Sequence, residues 1–151
     1  MMENMIIISH RGNTDGPQTA SHGENHPNSI IEALSKNYDV EIDVWLIDDK
    51  YVLGHDKPEY EINKLFFTNR LWCHAKNLPA LHNMIHDGIH CFYHNTDDAT
   101  ITSKGWIWTY PGKQIISNSS IAVIPETIKN YDISKSGGFC SDYTNYLEIY
   151  K

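Results

Sequence analysis

The chain has no long apolar run, no cluster of positive charge, no paired-cysteine spacing and no internal repeat, and each absence removes a class of function. No stretch approaches the roughly 20 apolar residues that span a bilayer, so no membrane span is expected. The run Met5-Ile6-Ile7-Ile8 is too short for the apolar part of a secretory signal, and a cytoplasmic chain starting at Met1 is expected. Lys and Arg number 12 against 19 Asp and Glu, a formal charge of −7, and the basic residues are scattered. That distribution lacks the footprint of a phosphate-backbone binder, so no nucleic-acid partner is expected. Cys73, Cys91 and Cys140 are odd in number and fall in apolar stretches without a Cys-x₂-Cys motif. They read as buried free thiols in a reducing compartment. Without a linker or low-complexity tract, residues 1–151 read as one domain.

What is present is a chain that is 40% hydrophobic and 11% aromatic, enough for a sizeable core, together with nine histidines whose placement asks for an explanation. Strand and helix signals alternate. Met5 to Ser9 is a β-branched run that stops at His10-Arg11-Gly12, and a polar loop follows. Pro27, with Ile30, Ile31, Ala33 and Leu34 at helical spacing, predicts a helix to about Lys36. From Tyr38 to Leu46 the period becomes two, and Tyr51 to His55 returns after the Asp48-Asp49-Lys50 turn. Leu71 to Ala75, Ile89 to His94, Ile121 to Ile124 and Gly138 to Ser141 read as strands, and Pro79 to Asp87 as a helix. Gly105 splits Thr100 to Tyr110 into a hairpin, and Pro125 begins a short helix. This order predicts an α/β fold with mainly parallel strands and a site at their carboxyl ends.

The period-two strand carries the most chemistry. Val40, Ile42, Val44 and Leu46 share one face, while Glu41, Asp43 and Trp45 share the other. The two carboxylates lie on one side of a sheet, roughly 7 Å apart along the backbone. Such a pair suits a hard divalent cation with oxygen ligands, and it equally suits a solvent-facing strand with alternating polar residues.

Around this strand stand His10-Arg11-Gly12, Glu24-Asn25, Glu41-x-Asp43-Val44 and His55-Asp56. In that order they resemble the glycerophosphodiester phosphodiesterase family, within the phosphatidylinositol-specific phospholipase C-like phosphodiesterases. The resemblance is dense from Ile6 to Asp56. Beyond it, Lys76 resembles the basic residue of the family's Glu-x-Lys motif, and Gly138-Phe139-Cys140-Ser141-Asp142 its final strand. The resemblance implies a TIM-type (β/α) barrel, here reduced or degenerate because about 200 residues is the usual lower limit. It implies metal-dependent hydrolysis of a glycerophosphodiester or related phosphodiester, with His10 and His55 as general acid and base. Glu41 and Asp43 become ligands of Mg²⁺ or Ca²⁺, with Mn²⁺ as an alternative, and Arg11 and Lys76 hold the phosphate. The sequence departs from the pattern at His74, which stands in place of a carboxylate and favours softer cations.

Two further readings compete. One is a degenerate binder of phosphorylated ligands, favoured by His74 and the short length; the other is a cation-independent lyase in which Arg11 or Lys76 replaces the metal. Among the remaining features, His82 and His86 are four apart on a predicted helix, but Asn83 replaces the glutamate of His-Glu-x-x-His. Cys73, His74, His90, Cys91 and His94 lack zinc-site spacing. Trp106 and Trp108 suit either a cleft wall or the core.

Overall fold

The β-branched run near the amino terminus becomes the centre of a sheet. In the computed structural model, which describes residues 5–146, the strands are β1 (Ile6–His10), β2 (Asp39–Ile47), β3 (Lys50–Leu53), β4 (Tyr60–Ile62), β5 (Leu71–Ala75), β6 (Cys91–Phe92), β7 (Ala99–Ile101), β8 (Ile107–Thr109), β9 (Ser120–Val123) and β10 (Gly138–Ser141). The helices are α1 (Pro27–Ser35) and α2 (Leu78–His86). The main path of the sheet runs β4-β3-β2-β1-β10-β9-β8-β7, with β5 also paired to β2 and β6 to β5. Pairings of β1 with β2 and β10, β2 with β5, β5 with β6, β10 with β9 and β9 with β8 are parallel; those of β3 with β2 and β4, and of β7 with β8, are antiparallel.

The expectation of a reduced TIM-type (β/α) barrel is therefore corrected. The sheet is mixed and curled into a half-barrel, and among the described residues only two short α-helices accompany ten strands. The reason is local. Asp48 and Asp49 take φ of 51° and 62°, the two left-handed positions of a two-residue hairpin, so the end of β2 folds back as β3 instead of feeding a helix. Gly105, at φ 88°, serves the β7–β8 turn in the same way. Towards the carboxyl end, β8, β9 and β10 are joined by polar loops and one 3₁₀ turn at Pro125–Thr127, and none of these connections has an apolar periodic face to bury.

Alternation decides which side of each strand meets which core. Val40, Ile42 and Val44 of β2, with Leu71 and Cys73 of β5, pack under Ile30 and Ala33 of α1 and Ala80 and Met84 of α2. The opposite face carries Ile8, Trp72, Phe92, Trp108, Ile121 and Cys140, which form a second cluster. Trp72 on β5 and Trp108 on β8 approach to 5.7 Å between ring centroids. Four strands intervene between them, so a flat sheet would hold them about 24 Å apart. Only a curled sheet brings these rings together, and its concave face therefore has an aromatic floor. All three cysteines are buried and free, and no helix among the described residues is long and apolar enough to cross a membrane.

Candidate functional site

Above the aromatic floor, the concave face becomes polar at the carboxyl ends of the parallel strands. The period of two that places Ile8 and Trp72 in the floor places His10, Glu41, Asp43 and His74 in the next layers up. A cavity of about 300 Å³ opens there, lined by His10, Arg11, Glu41, His55, His74 and Lys76, and by His94, Asn95, Trp108, Tyr110 and Val123. Five of the six residues selected from sequence line this cavity directly. The sixth, Asp43, lies beneath it with no exposed surface, in contact with Arg11 and His74.

His10 is held from behind. Its Nδ1 donates to Asp142 Oδ1 at 2.7 Å, which leaves Nε2 facing Glu41 Oε1 at 3.8 Å. Burial works against the imidazolium, but the Asp142 hydrogen bond and the Glu41 charge outweigh it, so His10 is raised above 6.5. Asp142 is fixed in turn: its Oδ1 accepts from Asn13 Nδ2 at 2.9 Å, and its amide donates to Glu126 Oε1 at 3.0 Å. A histidine oriented by a carboxylate, with its second nitrogen aimed into a cavity, can take or give a proton there.

The carboxylate pair is buried and unequal. Burial and the neighbouring Asp43 push Glu41 up to about 7. At Asp43 burial acts in the same direction but is overcome by His74, Arg11 and Asn25, which hold it down at about 2. Arg11 Nε stands 3.1 Å from Asp43 Oδ2 and His74 Nδ1 stands 3.3 Å from Asp43 Oδ1. Both are close charge contacts off the line of a good hydrogen bond, whereas Asn25 Nδ2 donates to Asp43 Oδ2 at 2.9 Å. Two loop residues adopt left-handed backbone to build this arrangement, Arg11 at φ 60° and Asn25 at φ 63°. A non-glycine residue accepts that conformation at a cost, and two of them beside one buried carboxylate mark a loop pair shaped around the site.

Glu41, Asp43 and His74 each offer a ligand atom within 4.8 Å of the others. Glu41 Oε1 and Asp43 Oδ1 are buried without a hydrogen-bond partner, and a divalent cation would satisfy both, so the residues present fit such an ion. Lys76 reaches the cavity from the end of β5, where its amide is tied to the Val44 carbonyl at 2.8 Å. His55 reaches it from the arm after β3. That arm is pinned by Gly54, whose amide donates to the Asp43 carbonyl at 3.1 Å and whose carbonyl accepts from Trp45 Nε1 at 2.6 Å. His55 Nδ1 contacts Asp56 Oδ1 at 2.8 Å on the open side of the site.

No direct signal in the sequence pointed to Asp142 as the partner of His10, which lies 132 residues away. Nor did any signal single out Asn13, or the stacking of His94 on Tyr110 at 3.5 Å between ring centroids, two rings that both line the cavity. Trp108 proves to be core and cavity floor at once. His82 and His86 lie exposed on α2, and His90 is buried against Trp72 with its Nε2 on Thr102 Oγ1 at 2.8 Å. No metal-ligand cluster other than Glu41, Asp43 and His74 occurs among the described residues.

No family model, curated protein or solved structure matches the chain.

Proposed function

We propose that the protein is a phosphodiesterase acting on a small phosphodiester of the glycerophosphodiester type, in keeping with the resemblance of its His-Arg-Gly, Glu-x-Asp and His-Asp motifs. The observation that carries the reading is that one cavity joins an oriented histidine, a second histidine, two permanent cations and a buried carboxylate pair. Arg11 offers a planar fork to phosphate oxygens and Lys76 a point charge. His10 and His55 form the proton-transfer pair: one removes the proton from the attacking hydroxyl or water, and the other delivers one to the departing alkoxide. Glu41, Asp43 and His74 would hold a divalent cation, which supplies charge stabilisation at the phosphoryl oxygens when bound. The cavity of about 300 Å³ suits a substrate of headgroup size.

A second reading has an observation of its own. Arg11 and His74 flank the two oxygens of Asp43, an arrangement that neutralises the acid without a metal and suits a cation-independent lyase. Turnover of a panel of glycerophosphodiesters, with and without a chelator, separates the two. The metal-dependent reading expects chelation to abolish turnover, and His10→Ala or His55→Ala to lower it by at least about 10² with an unchanged thermal transition. Chelator-resistant turnover supports the lyase. Phosphodiester binding without any turnover supports a degenerate binder, and activity lost only through unfolding makes the histidines structural.

A further inference from the structure

The identity of the cation turns on His74. Parallel pairing sets Asp43 opposite His74 in register, so the imidazole stands beside the carboxylate pair on the concave face. Two contacts then fix its ring. It stacks on Phe92 at 5.0 Å with 11° between planes, and its Nε2 lies 3.4 Å from the His94 carbonyl oxygen. A carbonyl only accepts, so Nε2 is the donor in that contact and Nδ1 is the nitrogen turned towards the carboxylates. Nδ1 stands 3.3 Å from Asp43 Oδ1.

Glu41, 3% exposed, and Asp43, 0% exposed, leave Oε1 and Oδ1 buried without any hydrogen-bond partner. One ligand atom from each of Glu41, Asp43 and His74 thus lies within 4.8 Å of the others. The two carboxylates, left alone, repel. A ligating imidazole whose other nitrogen donates to a backbone carbonyl is the usual outer-shell support of a transition-metal site, since it locks the tautomer and aims the ligand. Mg²⁺ and Ca²⁺ gain little from nitrogen, whereas first-row transition ions gain affinity from it.

We propose that Glu41, Asp43 and His74 form a two-carboxylate, one-imidazole site that selects a first-row transition divalent cation, such as Mn²⁺, over Mg²⁺ and Ca²⁺. This inference rests on the reading of the cluster as a cation site and revises the hard-cation expectation drawn from the carboxylates alone. His74 is the selecting residue, with Phe92 and the His94 carbonyl holding it in place.

The test is direct binding. Chelator-treated full-length protein is titrated with Mn²⁺ by electron paramagnetic resonance and calorimetry, and Mg²⁺ and Ca²⁺ are then used as competitors. One Mn²⁺ per chain is expected, with at least about tenfold weaker binding of Mg²⁺ and Ca²⁺. Pulsed resonance should show nitrogen coupling to the bound Mn²⁺. His74→Glu should abolish the coupling and shrink or invert the preference, while His82→Ala, on the exposed face of α2, should retain both. If His74→Glu lowers the thermal transition, the closer-sized His74→Gln repeats the measurement. Mg²⁺ or Ca²⁺ binding as tightly as Mn²⁺, or nitrogen coupling that survives removal of His74, overturns the inference while the cation-dependent reading stands. No divalent ion bound at millimolar concentration overturns both.

Discussion

Glu41→Gln should stabilise the metal-free protein above neutral pH. Glu41 is buried beside Asp43, and its carboxyl is pushed from 4.5 up to about 7. Between those values the folded chain holds a proton that the unfolded chain has released, so stability falls as pH rises through the window. At about 1.4 kcal/mol per pH unit, the full effect is at most about 3 kcal/mol and is reached above pH 7. Glutamine keeps the shape of the protonated acid and has no proton to lose. For a chain of this length, about 3 kcal/mol corresponds to roughly 6 to 12 °C in Tm. His10 also loses stabilisation as pH rises through its elevated value, but it is present in both chains and largely cancels in the difference. Thermal unfolding of both proteins in chelator from pH 4 to pH 8 is the assay. The two should coincide near pH 4 and diverge towards pH 8, with Glu41→Gln the more stable. Adding the cation at about 1,000 times Kd should then reverse the order, since binding at that concentration stabilises the wild type by about 4.1 kcal/mol, and the variant has lost a ligand. A Glu41→Gln protein less stable at pH 8 in chelator, or a difference that does not change with pH, would refute the account of a buried, repelled carboxylate pair.

Other outcomes follow from single contacts. Asp142→Asn removes the charged acceptor at His10 Nδ1, so the limb of the pH–rate profile that reports protonated His10 should move to lower pH; an unmoved limb would show that Asp142 does not tune His10. Gly54→Ala places a Cβ 1.9 Å from the Lys57 carbonyl oxygen at a φ of 154°, which should cost at least about 1–3 kcal/mol in denaturant unfolding and displace the His55 arm. An unchanged denaturation midpoint would mean that this arm relaxes freely.

Local patterns were legible in the amino-acid sequence because they depend on neighbours a few residues apart. The alternation through β2 separated Val40, Ile42 and Val44 from Glu41 and Asp43. The helix signals at Pro27 and Pro79 fell within a residue of α1 and α2, and the stretches Leu71–Ala75 and Gly138–Ser141 match β5 and β10. Strand β4, three residues long and just after Pro58, carries too little periodicity to be seen. Strand-and-helix alternation also suggested a mainly parallel barrel, whereas the Asp48-Asp49 turn sets β3 antiparallel to β2 and the sheet is mixed.

The tertiary structure alone decided the curl of the sheet, the meeting of His10 with Asp142 and the stacking of His74 on Phe92. These depend on contacts between residues far apart in the chain. Trp72 and Trp108 reach each other only after the intervening strands have paired and twisted, and that closure lifts Glu41 and Asp43 out of solvent. Sequence thus determined which side of β2 the carboxylates occupy; the closing of the sheet determined that this side is buried, charged and shared with four histidines.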